Sequence, residues 1–108
     1  MNNSDIKILL VDDEPDILEI VGYNLKNEGY KVYTSTNGIE AVKSAKKIIP
    51  DLILLDIMMP EMDGIEACEK IRTIKNLENT LIAFLTARNE DYSKVAGFDA
   101  GADDYITK

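Results

Sequence analysis

Pro50-Asp51-Leu52-Ile53-Leu54-Leu55-Asp56-Ile57-Met58-Met59-Pro60 decides how this chain is read. Leu52 to Leu55 is an unbroken aliphatic run fenced by prolines. Such a run forms a short strand buried on both faces, as in a parallel sheet. It ends on Asp56. A carboxylate reached through so apolar an approach is costly unless a cation, a set of hydrogen bonds or a chemical task compensates it.

Working outward, the same pattern recurs. Lys7-Ile8-Leu9-Leu10-Val11 reads as a first buried strand, broken at Asp12-Asp13-Glu14-Pro15. Proline suits the first position of a helix, where its missing N–H is no loss. Ile17, Leu18, Val21 and Leu25 follow at helical spacing, and Gly29 is a fitting C-terminal cap. Lys31 to Ser35 alternates and carries β-formers, as an edge strand does. Asn37-Gly38 opens a second helix with Ile39, Val42, Ala45 and Ile49 on one side, stopped by Pro50. Asp63-Gly64-Ile65-Glu66 has the shape of a capping box, and Ile65, Cys68 and Ile71 form the buried stripe of the helix it starts. Leu81 to Thr86 reads as a fourth buried strand, Asp91 to Ala100 as a short helix, and Asp104 to Thr107 as a fifth strand. Strands alternating with helices call for an α/β fold with a parallel sheet and right-handed crossovers. Ligands of such sheets sit at the carboxyl ends of the strands.

Composition narrows the function. With 108 residues, 45% of them hydrophobic, the chain makes one small domain with a real core. No apolar run approaches a membrane span, and the polar start lacks the apolar core of a signal peptide, so a cytoplasmic location is expected. A single cysteine, Cys68, excludes a disulfide framework and a cysteine-rich zinc site. Its place on an apolar helix face marks it as core rather than reactive. The chain has no histidine, hence no imidazole base, ligand or phosphate carrier of its own. A net charge of −8 disfavours nucleic acid and anionic membranes as direct partners.

The strand ends carry the chemistry. The first supplies Asp12 and Asp13, the third Asp56, the fourth Thr86 and the fifth Lys108. Singly, most of these have ordinary readings. Asp12 and Asp13 precede a helix, where acidic residues cap and complement the dipole. Thr86 is a common strand-end residue, and Lys108 is terminal. Jointly they place three carboxylates, a hydroxyl and an ammonium at one rim. Carboxylates so placed repel. Either one stays protonated or a hard divalent cation sits among them, and Mg²⁺ suits oxygen ligands while leaving room for a phosphoryl group. A carboxylate can also attack phosphorus to form an aspartyl-phosphate. Such transfer needs positioning and neutralisation of the phosphoryl oxygens, to which Mg²⁺, Thr86 and Lys108 are suited.

Four stretches resemble the receiver domain of bacterial two-component response regulators. They are Ile8-Leu9-Leu10-Val11-Asp12-Asp13-Glu14-Pro15, Leu54-Leu55-Asp56-Ile57-Met58-Met59-Pro60-Glu61-Met62-Asp63-Gly64, Leu85-Thr86-Ala87-Arg88 and Gly101-Ala102-Asp103-Asp104-Tyr105-Ile106-Thr107-Lys108. The last is similar to receivers that carry a winged-helix DNA-binding output domain. The resemblance runs in order from Lys7 onward. It implies a doubly wound, flavodoxin-like five-stranded parallel sheet in the order 2-1-3-4-5. It also implies roles: Asp56 as phosphoacceptor; Asp12, Asp13 and Asp56, with the backbone carbonyl of Met58, as Mg²⁺ ligands; Thr86 as the switch hydroxyl; Tyr105 as the aromatic switch; and Lys108 as the partner of the phosphoryl oxygens. The donor is then a phosphohistidine on a sensor histidine kinase. Phosphorylation changes the surface around the fourth helix and fifth strand to control an output such as transcription, and the domain catalyses its own phosphorylation and slow dephosphorylation.

Family members continue past the matched lysine with a proline and a fifth helix, whereas this sequence stops at Lys108. The expectation is a flexible segment over residues 1–6 and a receiver over residues 7–108 without its last helix. Apolar surface left open in this way favours a homodimer or exchange of segments. Three other functions compete. A haloacid-dehalogenase-type phosphatase requires a second aspartate where Met58 stands. A flavodoxin-like FMN binder requires a phosphate loop where Asp12-Asp13-Glu14 would repel phosphate. A non-phosphorylated receiver-like binding module usually lacks one of the acidic residues, the threonine or the lysine, and all are present here.

Overall fold

The computed structural model describes residues 2–86 and 100–107, with Thr86 and Thr107 described by their backbone. Strands β1 (Lys7–Val11), β2 (Lys31–Ser35), β3 (Leu52–Asp56), β4 (Leu81–Thr86) and β5 (Asp104–Thr107) form one sheet. Helices α1 (Pro15–Asn27), α2 (Gly38–Ile48) and α3 (Gly64–Arg72) supply the crossovers between the first four strands. Every strand pairing is parallel, in the order β2-β1-β3-β4-β5. The strands stand where the apolar runs place them. The helix expected over Asp91–Ala100 falls, but for Ala100, outside the described residues, as do Arg88 and Lys108. Short 3-10 turns at Asn3–Asp5 and Lys75–Leu77 complete the described elements. The first is tied down by Asn3 Nδ2, which donates to the Glu28 carbonyl at 2.6 Å.

Alternation along the strands divides the core into two layers. Leu9, Val11, Ile53, Leu55, Ile82 and Phe84 point to one face, where α2 and α3 cover them. Ile8, Leu10, Leu54, Ala83 and Leu85 point to the other, against Leu18, Val21 and Leu25 of α1. Each fully buried Leu, Ile or Phe contributes roughly 1.5–3 kcal/mol, which is why runs without a polar interruption settle as central strands. The α1 face closes less completely. Leu81 and Ile106 are 55% and 43% exposed. With Leu52, Ile82, Ala83, Asp103 and Asp104 they line a groove of about 350 Å³.

The helix starts follow local chemistry. Asn37 Oδ1 accepts from Glu40 N and Asp63 Oδ1 accepts from Glu66 N, each at 2.9 Å, so both helices have a side-chain N-cap. The Asp63–Glu66 stretch thus supplies the half of the capping box that satisfies an orphan helix donor. Helix α3 buries Ala67, Cys68 and Ile71, with Ile65 partly buried beside them. Helix α2 keeps Val42 and Ala45 on the expected face but not its two isoleucines. Ile39 and Ile49 are 37% and 45% exposed, while Gly38, Ala41 and Ala45 are buried with Val42 partly covered. Small residues let the α2 backbone approach the sheet, which turns the larger Ile39 outward. Ile49 has left the helix altogether, as a C-cap at φ 51.

Candidate functional site

β1 and β3 are parallel neighbours with Val11 opposite Leu55, so the residues that end each strand emerge at one rim. This is where the sheet order reverses, since β2 lies on one side of β1 and β3 on the other. Asp12, Asp13 and Asp56 meet there, each offering a carboxylate oxygen within 4.8 Å of the others. Asp12 is fully buried, Asp56 is 4% exposed and Asp13 is exposed.

The chain around Asp12 explains its burial. Its N–H donates to the Ser35 carbonyl at 3.2 Å, extending the β1–β2 ladder by one step. Its Oδ1 accepts from Glu14 N at 2.9 Å, which turns the chain from β1 toward Pro15 and α1. The capping reading of the acidic pair is therefore half right. Asp12 shapes the entry to α1, yet the N-cap is Glu14, which makes no side-chain cap bond.

A loop from Ile57 to Asp63 follows Asp56 and carries Met58, which is 62% exposed. Gly64 N donates to the Ile57 carbonyl at 2.8 Å and closes the loop. A Cβ on Gly64 would overlap the carbonyl oxygen of Asp56. Helix α3 therefore begins in contact with the peptide that presents Asp56. Glu61 adopts a left-handed φ of 69, and Met62 N reaches back to the Pro60 carbonyl at 2.8 Å.

Charges at this spacing repel by on the order of 4 kcal/mol per pair at 4 Å and an effective dielectric of 20. An all-oxygen donor set, two members buried and one open to solvent, fits a hard divalent cation such as Mg²⁺ and offers nothing to a thiophilic metal. Thr86 is the last residue of β4, and Thr107 pairs with it across β5. Tyr105 is half-buried opposite Phe84, with ring centroids 5.4 Å apart and planes tilted at 46°. Lys108 lies outside the described residues.

Residues 8–108 match the response regulator receiver domain family. The chain belongs to this family. It is the receiver domain of a two-component response regulator, a signalling domain. This receiver is 49% identical over 102 residues to the alkaline phosphatase synthesis transcriptional regulatory protein PhoP of Bacillus subtilis (strain 168). That match covers 94% of this chain and 42% of PhoP, so the chain spans less than half of that relative. The chemotaxis protein CheY4 of Vibrio cholerae superposes with a TM-score of 0.90 at 34% identity, over 95% of this chain and 86% of that one. The receiver domain of the sensor histidine kinase PA1611 from Pseudomonas aeruginosa PAO1 superposes with a TM-score of 0.88 at 35% identity, over 95% and 84% of the two chains. That structure has a magnesium ion coordinated in its active site cleft.

Two features of this receiver escape a reading of the sequence. The steric role of Gly64 is hidden because a glycine before a helix looks like any turn residue. Arg72, at the end of α3, gives no signal at all. Cys68 is fully buried, with Sγ 3.5 Å from the Ala100 carbonyl. Burial pushes its thiol up to about 11, against attraction from Arg72, and the side chain packs in the core beneath α3.

Proposed function

We propose that this receiver is a phosphorylation-dependent switch in which Asp56 accepts a phosphoryl group from a sensor histidine kinase. The observation that carries the reading is the meeting of Asp12, Asp13 and Asp56 at one rim with two of the three carboxylates buried. Placing like charges together in a low-dielectric environment works against folding and is expected where a cation and a phosphoryl group are handled.

In the reaction, an Asp56 carboxylate oxygen attacks phosphorus. The O–P bond forms, the P–N bond to the donor imidazole breaks, and the electron pair returns to that nitrogen, which takes up a proton. The imidazole lies outside these 108 residues, which contain no histidine. Asp12, Asp13 and Asp56, with the backbone carbonyl of Met58, would hold Mg²⁺, which supplies neutralisation of the charge shared by carboxylates and phosphoryl oxygens. Asp12 is held in place by its bond from Glu14 N, and Asp56 by the buried strand behind it. Thr86 and Lys108 meet the phosphoryl oxygens. Thr86 moves toward the added charge, Tyr105 follows, and the surface around β5 and the segment before it changes.

Residues 7–108 act as the receiver unit, in the cytoplasm, and the controlled output is transcription, as the name of the Bacillus subtilis relative suggests. Self-phosphorylation from small donors and slow dephosphorylation belong to the same proposal. So does a homodimer, whose support is the apolar surface at Leu81 and Ile106.

The test is intact mass after incubation with Mg²⁺ and acetyl phosphate, for the wild type and Asp56→Asn. The expected result is a Mg²⁺-dependent gain of one phosphoryl group, lost in the variant. No gain with Mg²⁺ still bound would point to a site needing more chain beyond Lys108. No gain and no Mg²⁺ binding would leave a receiver-like binding module as the function.

A further inference from the structure

Arg72 sits at the opposite end of the sheet from the acidic rim, on the last turn of α3. Its guanidinium binds four residues in two stretches, 77–80 and 101–103. Nε donates to the Gly101 carbonyl at 2.8 Å, and Nη1 donates to the carbonyls of Thr80 at 2.7 Å and Leu77 at 3.3 Å. Nη2 reaches Asp103 Oδ2 at 2.7 Å. The Arg72 side chain is 21% exposed, so little water competes for these bonds. Gly101 has a φ of +105, and a Cβ there would come within 2.7 Å of Arg72 Cγ. The turn is thus shaped to receive the arginine stem.

Asp103 completes the arrangement. Its Oδ2 accepts from Ile82 N at 2.9 Å while its own N–H donates to the Ile82 carbonyl at 2.8 Å. Both backbone groups of one β4 residue are thereby taken by one residue standing just before β5. That sets the register of Ala83 to Asp104, Phe84 to Tyr105 and Thr86 to Thr107. Among the described residues β5 is an edge strand of four residues, paired with β4 alone. Its placement depends on where it is pinned, and Tyr105 lies two positions beyond the pin.

We propose that Arg72 is a positioning residue of the switch. Through Asp103 and the Gly101 turn it fixes where β5 starts, so that Tyr105 rests on Phe84 in one arrangement until phosphorylation displaces it. The proposal rests on the reading of Tyr105 as the responding aromatic. An ordinary structural ion pair would stabilise the chain and leave the response of Tyr105 as it was. A pin on the strand makes that response conditional on Arg72.

The experiment uses 3-fluorotyrosine incorporated into the chain, with the Tyr105 ¹⁹F resonance assigned by Tyr105→Phe. Spectra are taken before and after phosphorylation with Mg²⁺ and acetyl phosphate, and intact mass gives the phosphorylated fraction. In Arg72→Lys the charge stays and the fork of donors is lost. The expected result is a phosphorylated fraction like the wild type's, with the phosphorylation-induced shift of Tyr105 compressed about two-fold or more, because the unphosphorylated strand already samples both arrangements. Asp103→Asn, nearly isosteric, is expected to do the same and carries the test if Arg72→Lys does not fold. A folded, phosphorylated variant showing the full wild-type shift overturns the proposal, and so does failure of both variants to fold, since Arg72 is then structural. A wild type that takes up no phosphoryl group, or whose Tyr105 resonance ignores it, sinks the functional reading first and this inference with it.

Discussion

At the amino ends of β4 and β5, Arg72 meets Asp103 at 2.7 Å and three backbone carbonyls within 3.3 Å. At the carboxyl ends of β1 and β3, Asp12, Asp13 and Asp56 bring like charges within 4.8 Å. The two ends share one sheet and one backbone geometry, yet they use charge in opposite senses. One end places each charge against a complementary group and gains rigidity. The other gathers carboxylates at a stability cost that a bound divalent cation can relieve. The sign of the local electrostatics therefore separates the end that is scaffold from the end proposed to carry the chemistry.

The largest predicted effect asks whether shape as well as charge holds the carboxyl end together. Gly64→Ala puts a methyl group into the carbonyl of Asp56, and should cost about 3 kcal/mol in urea unfolding as the start of α3 shifts. A cost below about 1 kcal/mol would mean that the loop accommodates freely. At the amino end, Arg72→Ala leaves Asp103 without its cation and removes a donor from the Gly101, Thr80 and Leu77 carbonyls, of which the last keeps Thr80 N. Allowing for the 45% exposure of Asp103, the expected loss is about 2 kcal/mol. Asp13→Asn should have the opposite sign. In EDTA it should stabilise by up to about 1 kcal/mol through relief of repulsion, while Mg²⁺ should raise the Tm of the wild type more than that of the variant. Loss of stability in EDTA would break the contrast between the two ends.

A pH-dependent effect lies beside the Arg72 network. The Cys68 thiol is raised from 9.0 to about 11 in the folded chain by burial. The folded state then holds its proton more tightly than the unfolded state. The corresponding stability is fully present below about pH 9 and is lost as pH rises toward 11. The fall in Tm between pH 9 and pH 11 should be shallower in Cys68→Ala than in the wild type, after correction for the cavity measured at pH 7. The smallest effect is a control. Lys43 and Glu40 are 3.9 Å apart with side chains 71% and 54% exposed, and Lys43→Ala should change stability by less than about 0.5 kcal/mol.

The strands were legible because unbroken apolar runs such as Leu52–Leu55 and Leu81–Leu85 have few other places to go in a chain of this size. The acidic rim was legible for the same reason. Once the strands are placed, whatever follows them must meet at the carboxyl ends of a parallel sheet. On α2 the helical spacing finds Val42 and Ala45 but not the outward turn of Ile39 and Ile49, which look like core by hydrophobicity, whereas close approach to the sheet favours Gly38, Ala41 and Ala45. Arg72 was invisible for a different reason. Three of its acceptors are backbone carbonyls, which every residue carries, and Asp103 is 31 positions away. Nothing in a pattern of side chains marks where a carbonyl will point.

The loop from Ile57 to Asp63 has a consequence for which sequences this rim can tolerate. Position 64 has no room for a side-chain carbon, so it admits one residue type. Position 61 holds a left-handed backbone that glycine and asparagine adopt more readily than the glutamate found there. A library randomised across residues 57–64 and selected for folding should return glycine at 64 almost without exception, and should enrich glycine or asparagine over glutamate at 61. Three residues apart, the same amino acid would be obligatory at one position and merely an improvement at the other, and the native chain has taken it only where there was no alternative.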